Sequence, residues 1–138
     1  MKLKVKKLND KAALPYKATS GSAAFDVTAT SLKRDANGNL VYGLGIALEI
    51  PQGYYGALVN RSSIREKDLR IMQGTIDSDY RGEVKAVFTE TSHPAKIYAV
   101  GDRVAQLLIL PVPQIEVVES SELSETTRGN GGFGSTGK

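Results

Sequence analysis

Gly45-Ile46-Ala47-Leu48-Glu49-Ile50-Pro51-Gln52-Gly53-Tyr54-Tyr55-Gly56-Ala57-Leu58-Val59 holds two apolar-rich segments around a Pro-Gln-Gly break. Each flank is too short for an ordinary helix and suits a strand. Proline fixes φ and glycine admits φ > 0, so the break reads as a turn. The same grammar extends in both directions. Asn37-Gly38-Asn39 reads as a hairpin turn between two further segments. Val84, Ala86 and Phe88 alternate with Lys85 and Val87. Arg103 to Val112 runs through Val104, Leu107, Leu108, Ile109 and Leu110 almost unbroken, as a strand buried on both faces does. At the N-terminus Leu3 and Val5 alternate with Lys2, Lys4 and Lys6. Only Ser62 to Asp68 lacks β character, and it suits a short helix. Short strands punctuated by 14 glycines and 5 prolines predict an all-β sandwich, jelly roll or barrel. No internal repeat is present.

The chain has 138 residues, enough for one domain with a real core. At 41% hydrophobic and 24% charged it is neither disordered, collagenous nor coiled coil. The absence of cysteine removes disulfides, zinc–thiolate sites and cysteine nucleophiles together, and a single histidine removes a His-rich metal site. Lys+Arg 18 against Asp+Glu 15 leaves net +3, a mild excess that suits an anionic small ligand as well as nucleic acid. No run approaches the ~18 apolar residues of a membrane span. The N-terminal cations have no apolar run behind them, so neither a signal peptide nor a membrane partner is expected. Asn60-Arg61-Ser62 matches a glycosylation acceptor, coincidental in a chain expected in the cytoplasm, or in a host cell's if the source is viral.

The expected boundary divides residues 1–119, the β domain, from residues 120–138, an arm rich in Gly and Ser. Composition alone fits a disordered tail. One Arg, one Phe and a Ser-Thr pair among glycines equally suit a segment that orders over an anion through exposed backbone amides. Gly132 to Lys138 mimics the start of a P-loop, but no helix follows to aim amides at phosphate, so that match is accidental.

Three other segments carry candidate chemistry. Arg61-Ser62-Ser63 follows an apolar strand, and is either a helix N-cap with a surface Arg or an anion contact. Gly74 to Glu83 packs Asp77, Asp79, Tyr80, Arg81 and Glu83 between glycines, and is either a charged hairpin or a site. Gln106 heads an apolar strand, where a polar residue is more often a satisfied hydrogen-bonder than a ligand contact.

Taken in order, with Ser22-Ala23-Ala24-Phe25-Asp26 before and the glycine-rich arm after, these segments resemble the five motifs of the trimeric dUTP diphosphatases (dUTPases). Arg61 to Ser63 resembles the second, Gly74 to Glu83 the third, Gly101 to Gln106 the fourth and Arg128 to Gly137 the fifth. The resemblance implies a jelly-roll homotrimer whose active sites are shared between subunits, with a flexible arm that orders on nucleotide. It implies hydrolysis of dUTP to dUMP and pyrophosphate by water attack on the α-phosphorus, which limits uracil in DNA and supplies dUMP for dTTP. Asp77 would activate the water. Gly74, Ile76 and their neighbours would offer backbone groups to uracil, and Tyr80 would lie under the deoxyribose. Arg61, Ser62, Ser63 and Gln106 would line the phosphates. Arg128 would take the γ-phosphate, Phe133 would stack on uracil, and Gly134, Ser135 and Thr136 would close over the triphosphate. Mg²⁺ would be held mainly by substrate, with Asp26 contacting it through water.

The chain departs from the family pattern in places. Ala24-Phe25 replaces a usual Gly and Tyr or Leu, Asn60 a usual Pro, and Ile64 a common Leu. Ile71 stands where many bacterial members carry an Asn that touches uracil, so backbone contacts should carry base selection here. Two rival readings exist. One is a dCTP deaminase-like enzyme, which shares the fold and an Arg-Ser-Ser segment. The other is a jelly-roll interaction module with a regulatory protein partner. Intact Asp77, Tyr80, Arg128 and Phe133 favour the enzyme.

Overall fold

The computed structural model describes residues 1–135 and residue 137. Ten strands follow one another: β1 (Lys4–Lys7), β2 (Phe25–Thr28), β3 (Ser31–Arg34), β4 (Leu40–Gly43), β5 (Ile46–Glu49), β6 (Tyr54–Val59), β7 (Leu69–Met72), β8 (Thr75–Ile76), β9 (Lys85–Glu90) and β10 (Arg103–Pro111). One four-stranded sheet runs β2-β10-β6-β8, a second runs β3-β4-β9-β7, and β1 pairs with β5 in a small third. Every pairing is antiparallel. All three sheets send side chains into one core, the jelly-roll arrangement expected from the sequence.

The alternation read from the sequence is visible in the burial. Val84, Ala86 and Phe88 are buried while Lys85 is exposed. Asn37-Gly38-Asn39 does turn the chain, with Gly38 at φ 81° and Asp35 accepting from the Asn37 and Asn39 amides at 2.9 Å each. The segments around Pro51-Gln52-Gly53 are strands, but they enter different sheets, so the turn is a corner rather than a hairpin. The expected short helix is a 3₁₀ turn, Ser62–Glu66. The expectation for β10 holds for half its length. Val104, Ala105 and Leu107 are fully buried, whereas Leu108, Ile109 and Leu110 are only half-buried. Among the described residues the last backbone hydrogen bond to the body is Val112 N–H to Gly53 C=O, 2.8 Å, so the chain leaves the body before residue 120. No helix among the described residues is long and apolar enough to cross a membrane.

An aromatic trio stiffens the core below the site. Tyr42 and Phe88 meet edge-on at 5.6 Å, and Tyr98 packs 6.0 Å from Phe88. The Tyr42 hydroxyl donates to the Tyr98 carbonyl at 2.8 Å. Burial pushes the Tyr42 phenol up to about 12. The native state thus keeps a proton that the unfolded chain releases near pH 10. Its contribution is intact below pH 10 and is lost as pH rises towards 12, a decline of about 3 kcal/mol. Urea unfolding at pH 9.5 and 11.5 should show about 2 kcal/mol of this decline, and Tyr42→Phe should remove that component.

Candidate functional site

The site residues fall into three groups. The first is organised by Asp26, which is buried on β2. Antiparallel register places Asp26 opposite Gln106 on β10, and Gln106 Nε2 donates to Asp26 Oδ1 at 3.1 Å. Arg103 lies three residues before Gln106, a spacing that sends side chains of a regular strand to opposite faces. The register shift between Arg103 and Ala105 takes up the odd residue, so Arg103 Nη1 also reaches Asp26, at Oδ2, 3.1 Å. The Gly101-Asp102 turn before it is fixed by Asp102 Oδ2, which accepts from the Ala99 amide at 2.8 Å.

Arg61 enters from the end of β6. Its Nε donates to Asp26 Oδ1 at 3.0 Å, and its Nη1 donates to the Arg103 carbonyl at 3.1 Å and to Ser63 Oγ at 3.3 Å. The helix-cap reading of this segment fails, because Arg61 sits at the cap position without any side-chain cap. One carboxylate facing two guanidiniums leaves a net positive cluster that is held rigidly, the arrangement an oligophosphate requires. Ser62 is exposed beside it. Ser63 turns inward instead: its hydroxyl is engaged by Arg61 and by the Tyr98 hydroxyl at 2.9 Å. The Ser63 side chain therefore supports Arg61, where the sequence expectation has it lining the phosphates. Gln106 is partly the satisfied hydrogen-bonder that its strand position suggested, since Nε2 is committed to Asp26.

The second group surrounds a cavity of about 300 Å³ lined by Met72, Gly74, Thr75, Asp77, Tyr80, Val84 and Val87. β8 pairs with β6 through Ile76↔Gly56 and Thr75↔Ala57, and its other side is a sheet edge with no strand partner among the described residues. The chain turns back through Tyr80 N–H to Asp77 C=O, 3.1 Å. Arg81 Nη1 clamps the turn to the carbonyls of Ser78 (2.7 Å) and Leu48 (3.4 Å), and Glu83 Oε1 accepts from the Gly45 amide at 2.9 Å. The Tyr80 ring lies across Gly82, where a Cβ would collide with it, and its hydroxyl donates to the Glu83 carbonyl at 3.0 Å. Asp77 stands exposed at the cavity mouth, with no side-chain hydrogen bond or ion pair among the described residues. Ile71 is buried in β7 opposite Phe88 and cannot meet a ligand; Met72, one position on, lines the cavity in its place.

The third group is the arm. Among the described residues no hydrogen bond joins 113–135 to the body. The arm folds on itself, with Arg128 Nε donating to the Gly131 carbonyl at 2.8 Å and the Gly132 amide donating to Ser135 Oγ at 2.7 Å. Phe133 is wholly exposed and adopts φ 51°, a left-handed conformation that a bulky residue rarely takes. Gly134 is exposed beside it, and Thr136 lies outside the described residues.

One chain does not bring these groups together. Asp77 follows Ile76, so it falls on the row of Tyr55 and Leu110; Asp26 and Gln106 fall on the row of Val59. Four rows of ~3.3 Å along the sheet and three strands of ~4.8 Å across it separate Asp77 from Asp26 by roughly 20 Å. Sequence reasoning missed Arg103 as a member of the positive cluster, because a bulge in β10 has no local sequence mark. It also missed Met72 and Tyr98, which look like ordinary strand and core residues.

For a metal, the described residues offer no group of three His, Asp or Glu side chains. A carboxylate has about four acceptor positions, and Asp26 spends two at Oδ1 and one at Oδ2. The remaining position suits a water carried by a metal and does not suit a direct ligand set.

Comparison with known proteins gives one consistent result. The dUTPase family model matches residues 10–137. The deoxyuridine 5′-triphosphate nucleotidohydrolase of Hydrogenobaculum sp. is 45% identical over 99% of both chains. Its counterpart in Paramecium bursaria Chlorella virus 1 is 39% identical over 98% of this chain and 97% of its own. Among solved structures, the dUTPase of Staphylococcus bacteriophage 80alpha with dUPNHPP superposes with a TM-score of 0.86 at 27% identity, over 99% of both chains.

Proposed function

This chain belongs to the dUTPase family, and from that premise we propose that it hydrolyses dUTP to dUMP and pyrophosphate. The observation that carries the reading is the pairing of a cavity ending at an unpaired carboxylate, Asp77, with a guanidinium cluster built on Asp26. Uracil meets the open backbone edge around Gly74 and Ile76, and the sugar rests against Tyr80. Water, giving its proton to Asp77, attacks the α-phosphorus; the bond from that phosphorus to the bridging oxygen breaks, and pyrophosphate leaves. Arg61, Ser62 and Gln106, with Arg103 beside them on Asp26, take the phosphate oxygens where negative charge grows. Asp26 would hold Mg²⁺ through a water, and the ion would supply charge neutralisation to the triphosphate.

A separation of roughly 20 Å between Asp77 and the Asp26 cluster is too long for one triphosphate to bridge within a chain. We therefore assign a homotrimer in which each site takes its Asp77 hairpin, its Arg61 cluster and its arm from different subunits. The exposed Ile115, Val117 and Val118 of the connecting segment provide apolar surface for such contacts. We divide the chain into the β body and the arm, the latter acting through Arg128 on the γ-phosphate, Phe133 on the base, and Gly134, Ser135 and Thr136 over the phosphates. The role is dUTP removal and dUMP supply, in the cytoplasm where nucleotide pools turn over.

Pyrophosphate release measured with Mg²⁺ across the four standard dNTPs, dUTP and UTP tests the reading. Release from dUTP alone is expected. Equal release from all, or ammonia from dCTP, would overturn it. Tyr80→Ala should narrow the preference for dUTP over UTP, because the ring excludes a 2′-hydroxyl by bulk alone. An unchanged ratio of kcat/KM values would place the sugar gate elsewhere.

A further inference from the structure

We propose that Tyr98 is a positioning residue for the triphosphate, acting on Arg61 through Ser63. The inference rests on the reading of Arg61 as a phosphate contact. Tyr98 is buried, and its roles separate by atom. Its ring packs against Phe88 at 6.0 Å and Tyr42 at 6.5 Å, and its carbonyl accepts from the Tyr42 hydroxyl at 2.8 Å. None of these contacts uses the Tyr98 hydroxyl. That group has one partner among the described residues, Ser63 Oγ at 2.9 Å, and either can donate. Ser63 Oγ in turn accepts from Arg61 Nη1 at 3.3 Å.

A serine hydroxyl rotates freely unless its partners fix it. Here a phenol anchored in the core fixes it from below, and the guanidinium engages it from above. The arrangement also fixes the turn itself. Ser62 is the exposed neighbour of Ser63, and the turn closes through Ile64 N–H to Arg61 C=O at 3.0 Å. Anchoring Ser63 therefore sets both Arg61 and the Ser62 hydroxyl. Without it Arg61 keeps Asp26 and the Arg103 carbonyl but loses one of the two contacts that hold Nη1.

Tyr98→Phe keeps the ring and the carbonyl and removes only this link. Losing a hydrogen bond that serves a charged group weakens affinity about tenfold. Non-hydrolysable α,β-imido-dUTP and deoxyuridine are the probes, with binding of each measured on the full chain. Tyr98→Phe and Ser63→Ala should each weaken the triphosphate about tenfold and leave deoxyuridine unchanged. The double variant should be no weaker than either single one, and Ser63→Thr, which keeps Oγ, should bind as the parent does. Should Tyr98→Phe fail to fold, Ser63→Ala makes the same test from the outer end of the link. Arg61→Ala separates the two levels of the argument. If it loses the triphosphate while Tyr98→Phe and Ser63→Ala bind normally, or lose both probes in parallel, the positioning role is overturned. If Arg61→Ala itself binds the triphosphate normally, the phosphate reading of Arg61 is what fails, and the inference falls with it.

Discussion

Asp77→Asn is expected to lower dUTP turnover by about 10²–10⁴-fold while leaving the fold and nucleotide affinity in place. The change is nearly isosteric and removes the proton acceptor. Asp77 makes no side-chain hydrogen bond among the described residues, so Asn breaks none. The turn that carries it is closed by the backbone, Tyr80 N–H to Asp77 C=O, and is clamped by Arg81 and Glu83. With one histidine, exposed and beside Glu90, and no cysteine, the chain offers few competing bases. Turnover is read from pyrophosphate release and affinity from binding of α,β-imido-dUTP. A variant that binds normally and turns over slowly places Asp77 on the attacking water. Near-full activity would remove it from the mechanism and direct attention to Asp79, two residues on in the same turn.

The parts of this architecture that were legible in the sequence are those set by local periodicity and turn chemistry. Val84, Ala86 and Phe88 are buried because a strand alternates, and Asn37-Gly38-Asn39 turns because Gly38 adopts φ 81°. Other features depend on partners that no local window contains. Ile46–Glu49 and Tyr54–Val59 read as two strands around a turn, but their joining different sheets depends on pairing with β1 and β10. Leu108, Ile109 and Leu110 look as deeply buried as Leu107, but the body supplies them with only partial cover. The site shows the same division. Asp77, Tyr80, Arg61 and Gln106 are candidates because of a motif order, whereas Arg103 joins the Asp26 cluster through a bulge and Tyr98 reaches Ser63 from the core. Ser62 and Ser63 look alike in the sequence; a 3₁₀ turn directs successive side chains about 120° apart, and the Ser63 hydroxyl points inward to Tyr98.

Deleting Thr126 to Lys138 is expected to abolish most catalysis while barely moving the melting temperature or the oligomer mass. The arm makes no hydrogen bond to the body among the described residues, and its one aromatic, Phe133, is wholly exposed, so its loss opens no core. Surface changes of that kind fall within about 0.5 kcal/mol. The arm nevertheless holds the only Arg after Arg103, the only aromatic after Tyr98 and five glycines. With no hydrogen bond to the body among the described residues, these groups should cost little stability to lose and matter only when nucleotide is bound. Phe133→Ala alone should weaken nucleotide binding by roughly 1–3 kcal/mol, the worth of an aromatic–base stack. Mixing the truncated chain with full-length Asp77→Asn gives the sharper result. Neither parent is active: one lacks the arm and the other lacks the base. If arms cross between subunits, some mixed trimers bring an intact Asp77 and an intact arm to the same site, and activity returns after the two are co-refolded. If each arm serves only the Asp77 of its own chain, no mixture restores turnover, because every chain remains defective in one of the two parts. Recovery would also account for the roughly 20 Å between Asp77 and the Asp26 cluster within a chain, since a site assembled from several chains has no need to close that distance.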